Sequence, residues 1–266
     1  MRGLTTFFSI VFILFVGLYF FVLRPEKYSE DDLYDEIIQR GKIRIGINTD
    51  AKPFGFVDSA GVVQGYDADL GRYIAQYILN NPDKVEFISV TPANRMMKVS
   101  TGDVDIVIAA MTITPQRKEI IDFSIPYDSA GQTLLVKSSS KITSIADLGN
   151  QNVGVIWGTT AEKNMLNLAP EANVIGFKSY NEAYQALKSG RINAITSDDT
   201  ILSGFSLEDK DVKLLPKRYS REPYGIGFKK SKSTVKLKEE INSAIRDMKQ
   251  KNVITRLHNK WLEGQG

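Results

Sequence analysis

The chain has 266 residues, 42% of them hydrophobic and 24% charged, enough to bury one large core or two smaller ones. Its formal charge of +3 is concentrated at the start, where Arg2, Arg24 and Lys27 face Glu26 alone; the remainder differs from neutrality by one positive charge, which leaves no basic footprint for nucleic acid. The absence of cysteine excludes disulfides, thiolate metal sites, cysteine nucleophiles and a lipid-modified cysteine together.

Residues 4–23 form an almost uninterrupted apolar run, about the length that crosses a bilayer as a helix. The run ends on Tyr19, Phe20, Phe21, Val22 and Leu23 directly before Arg24 and Pro25, where a cleavable signal carries small residues. An uncleaved N-terminal transmembrane helix over 4–23 and a polar spacer over 24–32 are therefore expected. Flanking charges nearly balance and assign no orientation. The folded body is expected from 33, where Leu33, Ile37 and Ile38 are the first residues spaced to pack.

Ile43, Ile45 and Ile47 then alternate as in a strand, and Leu70, Ile74, Tyr77 and Ile78 recur at helical spacing behind Asp67, read as an N-cap. Further strands are predicted over 85–90, 105–110, 133–137, 153–157, 192–196 and 224–228, and helices over 95–100, 160–168, 180–189 and 235–261. The last helix carries Leu237, Ile241, Ile245 and Met248 on one stripe and Ile254, Leu257 and Trp261 on another, with Asn252 between them as a break. Alternating strands and helices without an internal repeat define an α/β chain with a parallel sheet covered by helices.

The most informative stretch runs from Ala109 through Thr112 and Pro115 to Arg117, because it follows a strand and enters a proline-initiated helical turn. Strand ends in open α/β sheets are where ligands bind. Thr112 offers a hydroxyl and an N–H there, and Arg117 can fork onto a carboxylate. Alone, an arginine in a first helical turn is more often a solvated surface residue.

This stretch belongs to a longer ordered set: Gly-Tyr-Asp-Ala-Asp-Leu at 65–70, Ala-Asn-Arg at 93–95, Met-Thr-Ile-Thr-Pro-Gln-Arg-Lys at 111–118, Asp-Phe-Ser-Ile-Pro-Tyr at 122–127, Gly-Thr-Thr-Ala-Glu-Lys-Asn at 158–164 and Pro-Tyr-Gly-Ile-Gly at 223–227. The set resembles the periplasmic polar amino-acid-binding proteins, solute-binding protein family 3, over essentially 33–262. The resemblance implies the type II periplasmic binding protein fold: two Rossmann-like lobes joined by two crossover strands. It divides the chain into a discontinuous lobe 1 over 33–126 and 225–264, lobe 2 over 132–220, and hinges near 127–131 and 221–224.

The resemblance also implies a site for an amino acid, with Arg117, Thr112 and the backbone at Thr160 on the ligand carboxylate, and Asp198 with groups near Ala110 on its ammonium. Such a zwitterion needs an acidic partner, a guanidinium and a wall that excludes water, so the chemistry agrees. As an isolated residue Asp198, followed by Asp199, reads as a loop or helix cap. In relatives that bind glutamate or aspartate an arginine at the Arg95 position meets the side-chain carboxylate, often beside a lysine where this chain has Asn48. Arg95 thus favours an acidic ligand and Asn48 an amide such as glutamine or asparagine, and the two stay open. Tyr180 corresponds to an aromatic hydroxyl at the side-chain end, Phe54 to the apolar wall, and Asp50 follows the first strand as a ligand contact or a turn cap; core packing is the competing reading for both aromatics.

The implied partners are an amino acid, an ABC transporter permease and, through the N-terminal segment, the outer face of the cytoplasmic membrane; a monomer without cofactor or metal is expected. His258 is the sole histidine, so no histidine pair is present for a metal. Phosphate-binding, nucleophile-elbow and dinucleotide motifs are absent, and ATP hydrolysis falls to a partner. Two alternatives remain: a dehydratase of the cyclohexadienyl type, with Glu162 as the nearby carboxyl or simply a first-turn helix acid, and a ligand-sensing module, disfavoured because no second span or signalling helix precedes Gly266.

Overall fold

The computed structural model describes residues 32–262. The expected membrane helix over 4–23 and most of the spacer lie outside the described residues; among the described residues no helix is long and apolar enough to cross a membrane. The body opens with α1 (Leu33–Arg40), started by Asp32, whose side chain accepts from the Tyr34 N–H, and stopped by Gly41 at φ 66°.

The first sheet has the order β5 (Val85–Val90), β1 (Ile43–Asn48), β6 (Ile106–Val107), β15 (Gly227–Lys229), β7 (Ile121–Phe123). β1 is parallel to β5 and β6, whereas β15 returns from the far end of the chain antiparallel to β6 and β7. Ile43, Ile45 and Ile47 of β1 are buried on one face of the sheet, and on the other face Gly46 admits the side chains of Val90, Val104 and Val107. The second sheet has the order β11 (Asn173–Phe177), β10 (Asn152–Ile156), β12 (Ala194–Asp198), β9 (Gln132–Lys137), β13 (Val212–Leu214). Here β10 is parallel to β11 and β12, and β9 runs antiparallel to β12 and β13.

Between the two lobes so formed lies a two-stranded antiparallel ribbon, β8 (Asp128–Ala130) against β14 (Glu222–Tyr224), pairing Tyr224 with Asp128. Phe54, Tyr66, Tyr127 and Tyr224 pack beneath it with ring centroids 5.4 to 6.2 Å apart, and this aromatic group joins the buried side chains of both lobes into one cluster. A small sheet of β2 (Asp50–Ala51), β3 (Gly55–Val57) and β4 (Val63–Gln64) leads into α2 (Tyr66–Leu79).

Several sequence expectations shift for identifiable reasons. The strand expected over 105–110 shortens to β6, because Asp105 is a buried clamp for Arg40 and Arg44 and the chain beyond Ile108 leaves the sheet toward the seam between the lobes. The strand expected over 224–228 divides at Gly225 and Ile226, its first part serving the ribbon and its second the first sheet. The helix over 235–261 divides into α8 (Val235–Gln250) and α9 (Val253–Trp261) at Asn252, which takes the left-handed φ of 54°. Asp67 is not an N-cap: Gly65 occupies that position, and Asp67 points inward from the first turn. Strands β11 and β13 and helix α7 (Asp199–Glu208) had no distinct periodicity to announce them.

Candidate functional site

The site is built where strand ends of both sheets meet the seam. On the first lobe the chain passes from β6 through Ala110, whose φ of 43° is the left-handed region that side chains rarely adopt. Its N–H donates to Asp67 Oδ2 at 2.8 Å, while Asp67 Oδ1 accepts from the Tyr127 hydroxyl at 2.9 Å. Asp67 thus holds a strained turn and ties it to the residue beside the ribbon.

Thr114 then caps α4 (Pro115–Ile120), with proline in the first turn, and this short helix delivers Arg117 into the seam. Arg117 is 8% exposed; one guanidinium nitrogen donates to the Thr112 carbonyl at 2.7 Å and the other crosses to the Gly158 carbonyl of the second lobe at 2.9 Å. Arg95, the first residue of α3 (Arg95–Thr101), donates to the Ala109 carbonyl, and its buried Nε has no hydrogen-bond partner among the described residues. Burial and, next, the Arg95 charge beside it push Arg117 down to about 9, against the pull of Asp198 and Glu222. Burial likewise lowers Arg95, opposed by Tyr180 and Asp198. Two guanidiniums out of water and near each other call for an anion.

From the second lobe, β12 ends on Asp198 at the entrance to α7. Its backbone occupies the N-cap position, but its side chain makes no capping bond and accepts instead from the Tyr224 hydroxyl of the ribbon. Burial raises Asp198 to about 7; the Tyr224 donor and Arg95 counter this, and Glu222 and Asp199 add to it. Tyr180 begins α6 (Tyr180–Ser189), its hydroxyl 3.2 Å from Ser197 Oγ and its N–H donating across the seam to Asp50 Oδ2 at 3.0 Å. Burial raises the Asp50 carboxyl.

Arg95, Arg117, Tyr180 and Asp198 therefore come within electrostatic reach of one another, although 103 residues separate the first from the last. Phe54 lies under them in edge contact with Tyr224. Asn48 is buried at the end of β1, where its side-chain oxygen accepts from the Asp50 N–H. Thr112 is buried and lends its carbonyl to Arg117, and Thr160 is half-buried at the start of α5 (Thr160–Leu168). Glu162 is engaged in the first turn of α5: its carboxylate accepts from the Gly158 N–H at 2.9 Å while Thr159 Oγ1 accepts from the Glu162 N–H.

Asp67, Tyr127, Glu222 and Tyr224 also border this cluster, and the sequence alone assigns them no role there. The motifs at 65–70, 122–127 and 223–227 contain three of them, but nothing local says that these side chains converge. Two grooves of about 490 and 510 Å³ flank the cluster along the seam, the first lined by Asp50, Lys52, Gly204 and Glu208, the second by Pro92, Arg117, Gly158 and Thr160. Among the described residues no His, Asp and Glu group is placed to hold a metal ion.

A two-lobed α/β fold with a charged, aromatic-floored seam defines a type II periplasmic binding protein. The chain belongs to the bacterial extracellular solute-binding proteins, family 3, whose model matches residues 43–264. It is 40% identical over 239 residues to the ABC transporter glutamine-binding protein GlnH of Bacillus subtilis (strain 168), covering 89% of this chain and 87% of that protein. It is also 40% identical over 207 residues to a glutamine-binding protein of Geobacillus stearothermophilus, covering 77% and 79%. Among solved structures, an ancestral arginine-binding protein bound to glutamine matches with a TM-score of 0.78 at 37% identity, over 85% of this chain and 99% of the other.

Proposed function

We propose that this chain captures glutamine between its lobes outside the cytoplasm and delivers it to an ABC transporter permease, held at the membrane by residues 4–23. The carrying observation is the placement of buried Arg117 and Asp198 on opposite lobes, the pair an α-carboxylate and an α-ammonium require. Thr112, Ala110 and the backbone at Thr160 complete the cage around the α-carbon, and Phe54 and Tyr180 form its walls, with Asn48 and Asp50 at the side-chain end.

Arg95 decides between an amide and an acid. It already donates to the Ala109 carbonyl and lies within electrostatic reach of both Asp67 and Asp198, so part of its charge is met inside the protein, and the ligand α-carboxylate beside Arg117 supplies the anion that the two guanidiniums share. The glutamine-binding names of the two relatives support the same choice. Binding without turnover fits the engagement of Glu162 in its helix cap, which leaves the carboxyl of the dehydratase alternative committed elsewhere.

Calorimetric titration of the full-length chain in mild detergent tests the reading. Glutamine is expected to bind at least about tenfold more tightly than glutamate, about 1.4 kcal/mol. Tighter glutamate binding would mean that Arg95 engages the ligand side chain and that the acidic reading is correct.

A further inference from the structure

Gly204 is the sixth residue of α7 and has ordinary right-handed helical backbone, so nothing in the helix itself calls for glycine. Alanine is the better helix former, and glycine in a helix interior weakens it. The reason for glycine lies across the seam. An added Cβ would stand 2.6 Å from the Lys52 carbonyl oxygen and 3.2 Å from Pro53 Cδ, both on the first lobe. The Lys52 oxygen belongs to backbone, which cannot swing aside as a flexible side-chain end would.

The other groove repeats the arrangement. At Gly158 an added Cβ would meet the Pro92 carbonyl oxygen at 2.5 Å, again second lobe against first-lobe backbone. Gly158 also has φ 82°, so its glycine serves its own turn as well and is less diagnostic. The seam thus touches at a glycine on each side of the charged cluster, with Arg117 bonded to the Gly158 carbonyl on one side and Lys52 paired with Glu208 on the other.

We propose that Gly204 is a positioning residue for ligand capture: its missing side chain sets how closely α7 approaches the Lys52–Pro53 backbone and hence how completely the lobes bring Arg117 and Asp198 together. The proposal rests on the reading of the seam as the ligand site. It places a determinant of affinity on a residue that needs no contact with ligand, and it gives α7 a glycine that its own stability disfavours.

The test is Gly204→Ala in the full-length chain, read in two ways. Calorimetry with glutamine is expected to show affinity lower by about tenfold or more, the size of a moderate overpacking penalty, while the ligand-free melting temperature stays level or rises. Because the chain has no cysteine, Val57→Cys and Leu207→Cys, both exposed and on opposite lobes, accept a dye pair cleanly. Energy transfer between the dyes is expected to be lower in the Gly204→Ala background, because the lobes stop short. Equal transfer and equal affinity in the two backgrounds overturn the proposal, as does a lower ligand-free melting temperature, which would assign Gly204 to α7 itself. A parent chain that takes up no glutamine removes the ligand reading alone, since the difference in transfer between the two ligand-free chains still reads the contact.

Discussion

In the proposed site Arg117 and Asp198 each sit in surroundings that disfavour their charge, and on that reading this makes them receptive to a zwitterion. Among the described residues no carboxylate lies within hydrogen-bonding range of the Arg117 guanidinium, which donates to two carbonyls. Arg117→Ala is expected to weaken glutamine binding by about 2–5 kcal/mol, the cost of leaving a buried carboxylate unpaired; unchanged affinity by calorimetry would remove Arg117 from the site. Asp198, raised to about 7, must lose its proton to receive an ammonium. Affinity is therefore expected to hold above about pH 7 and to fall by up to about tenfold per pH unit below it. The Tyr224 hydroxyl donates to the Asp198 carboxylate and so lowers its pKa. Tyr224→Phe should move the midpoint of the binding profile to higher pH, whereas a uniform loss at every pH would make Tyr224 merely a packing residue.

At the scale of elements, the sharp features are ends. Thr114, Thr159 and Ser179 each accept a backbone N–H at the start of a helix that opens onto the seam, so capping chemistry also places Arg117, Thr160 and Tyr180. Asn252 separates α8 from α9 by its left-handed backbone, which asparagine tolerates better than other side chains. Asn252→Ala is expected to cost about 1 kcal/mol, a drop of about 2–4 °C in melting temperature for a chain of this size, and Asn252→Gly to cost less. Equal losses in the two melts would point to the asparagine side chain in place of its backbone. Periodicity made β1, β5, α5 and α6 legible because each presents a regular apolar face or a clear cap. It failed at β11, where Asn173 and Val174 are exposed, and at the short ribbon strands, whose existence depends on residues far away in the chain.

For the whole molecule, ligand that bridges the lobes as proposed favours their closed arrangement by its differential affinity, with the ribbon of β8 and β14 between the lobes as the proposed hinge. Glutamine at about one hundred times its dissociation constant is expected to stabilise the fold by about 2.7 kcal/mol and raise its melting temperature by about 5–10 °C. Small-angle scattering should show a smaller radius of gyration with ligand. A raised melting temperature at constant radius would mean that the ligand enters an already closed cleft.

The α/β class, most of the helices and the residue types a zwitterion needs were legible in the chain alone, because these follow from local periodicity, capping and chemistry. The ordered motifs also carried the family. The folded arrangement was needed to see that Arg95 and Arg117 share one buried space with Asp198, that Asp67 and Tyr224 each hold one side of it, and that Gly204 meets backbone from the opposite lobe. Charge compensation, burial and steric contact depend on distances between segments remote in the chain, and one sequence without its fold contains no measure of those distances.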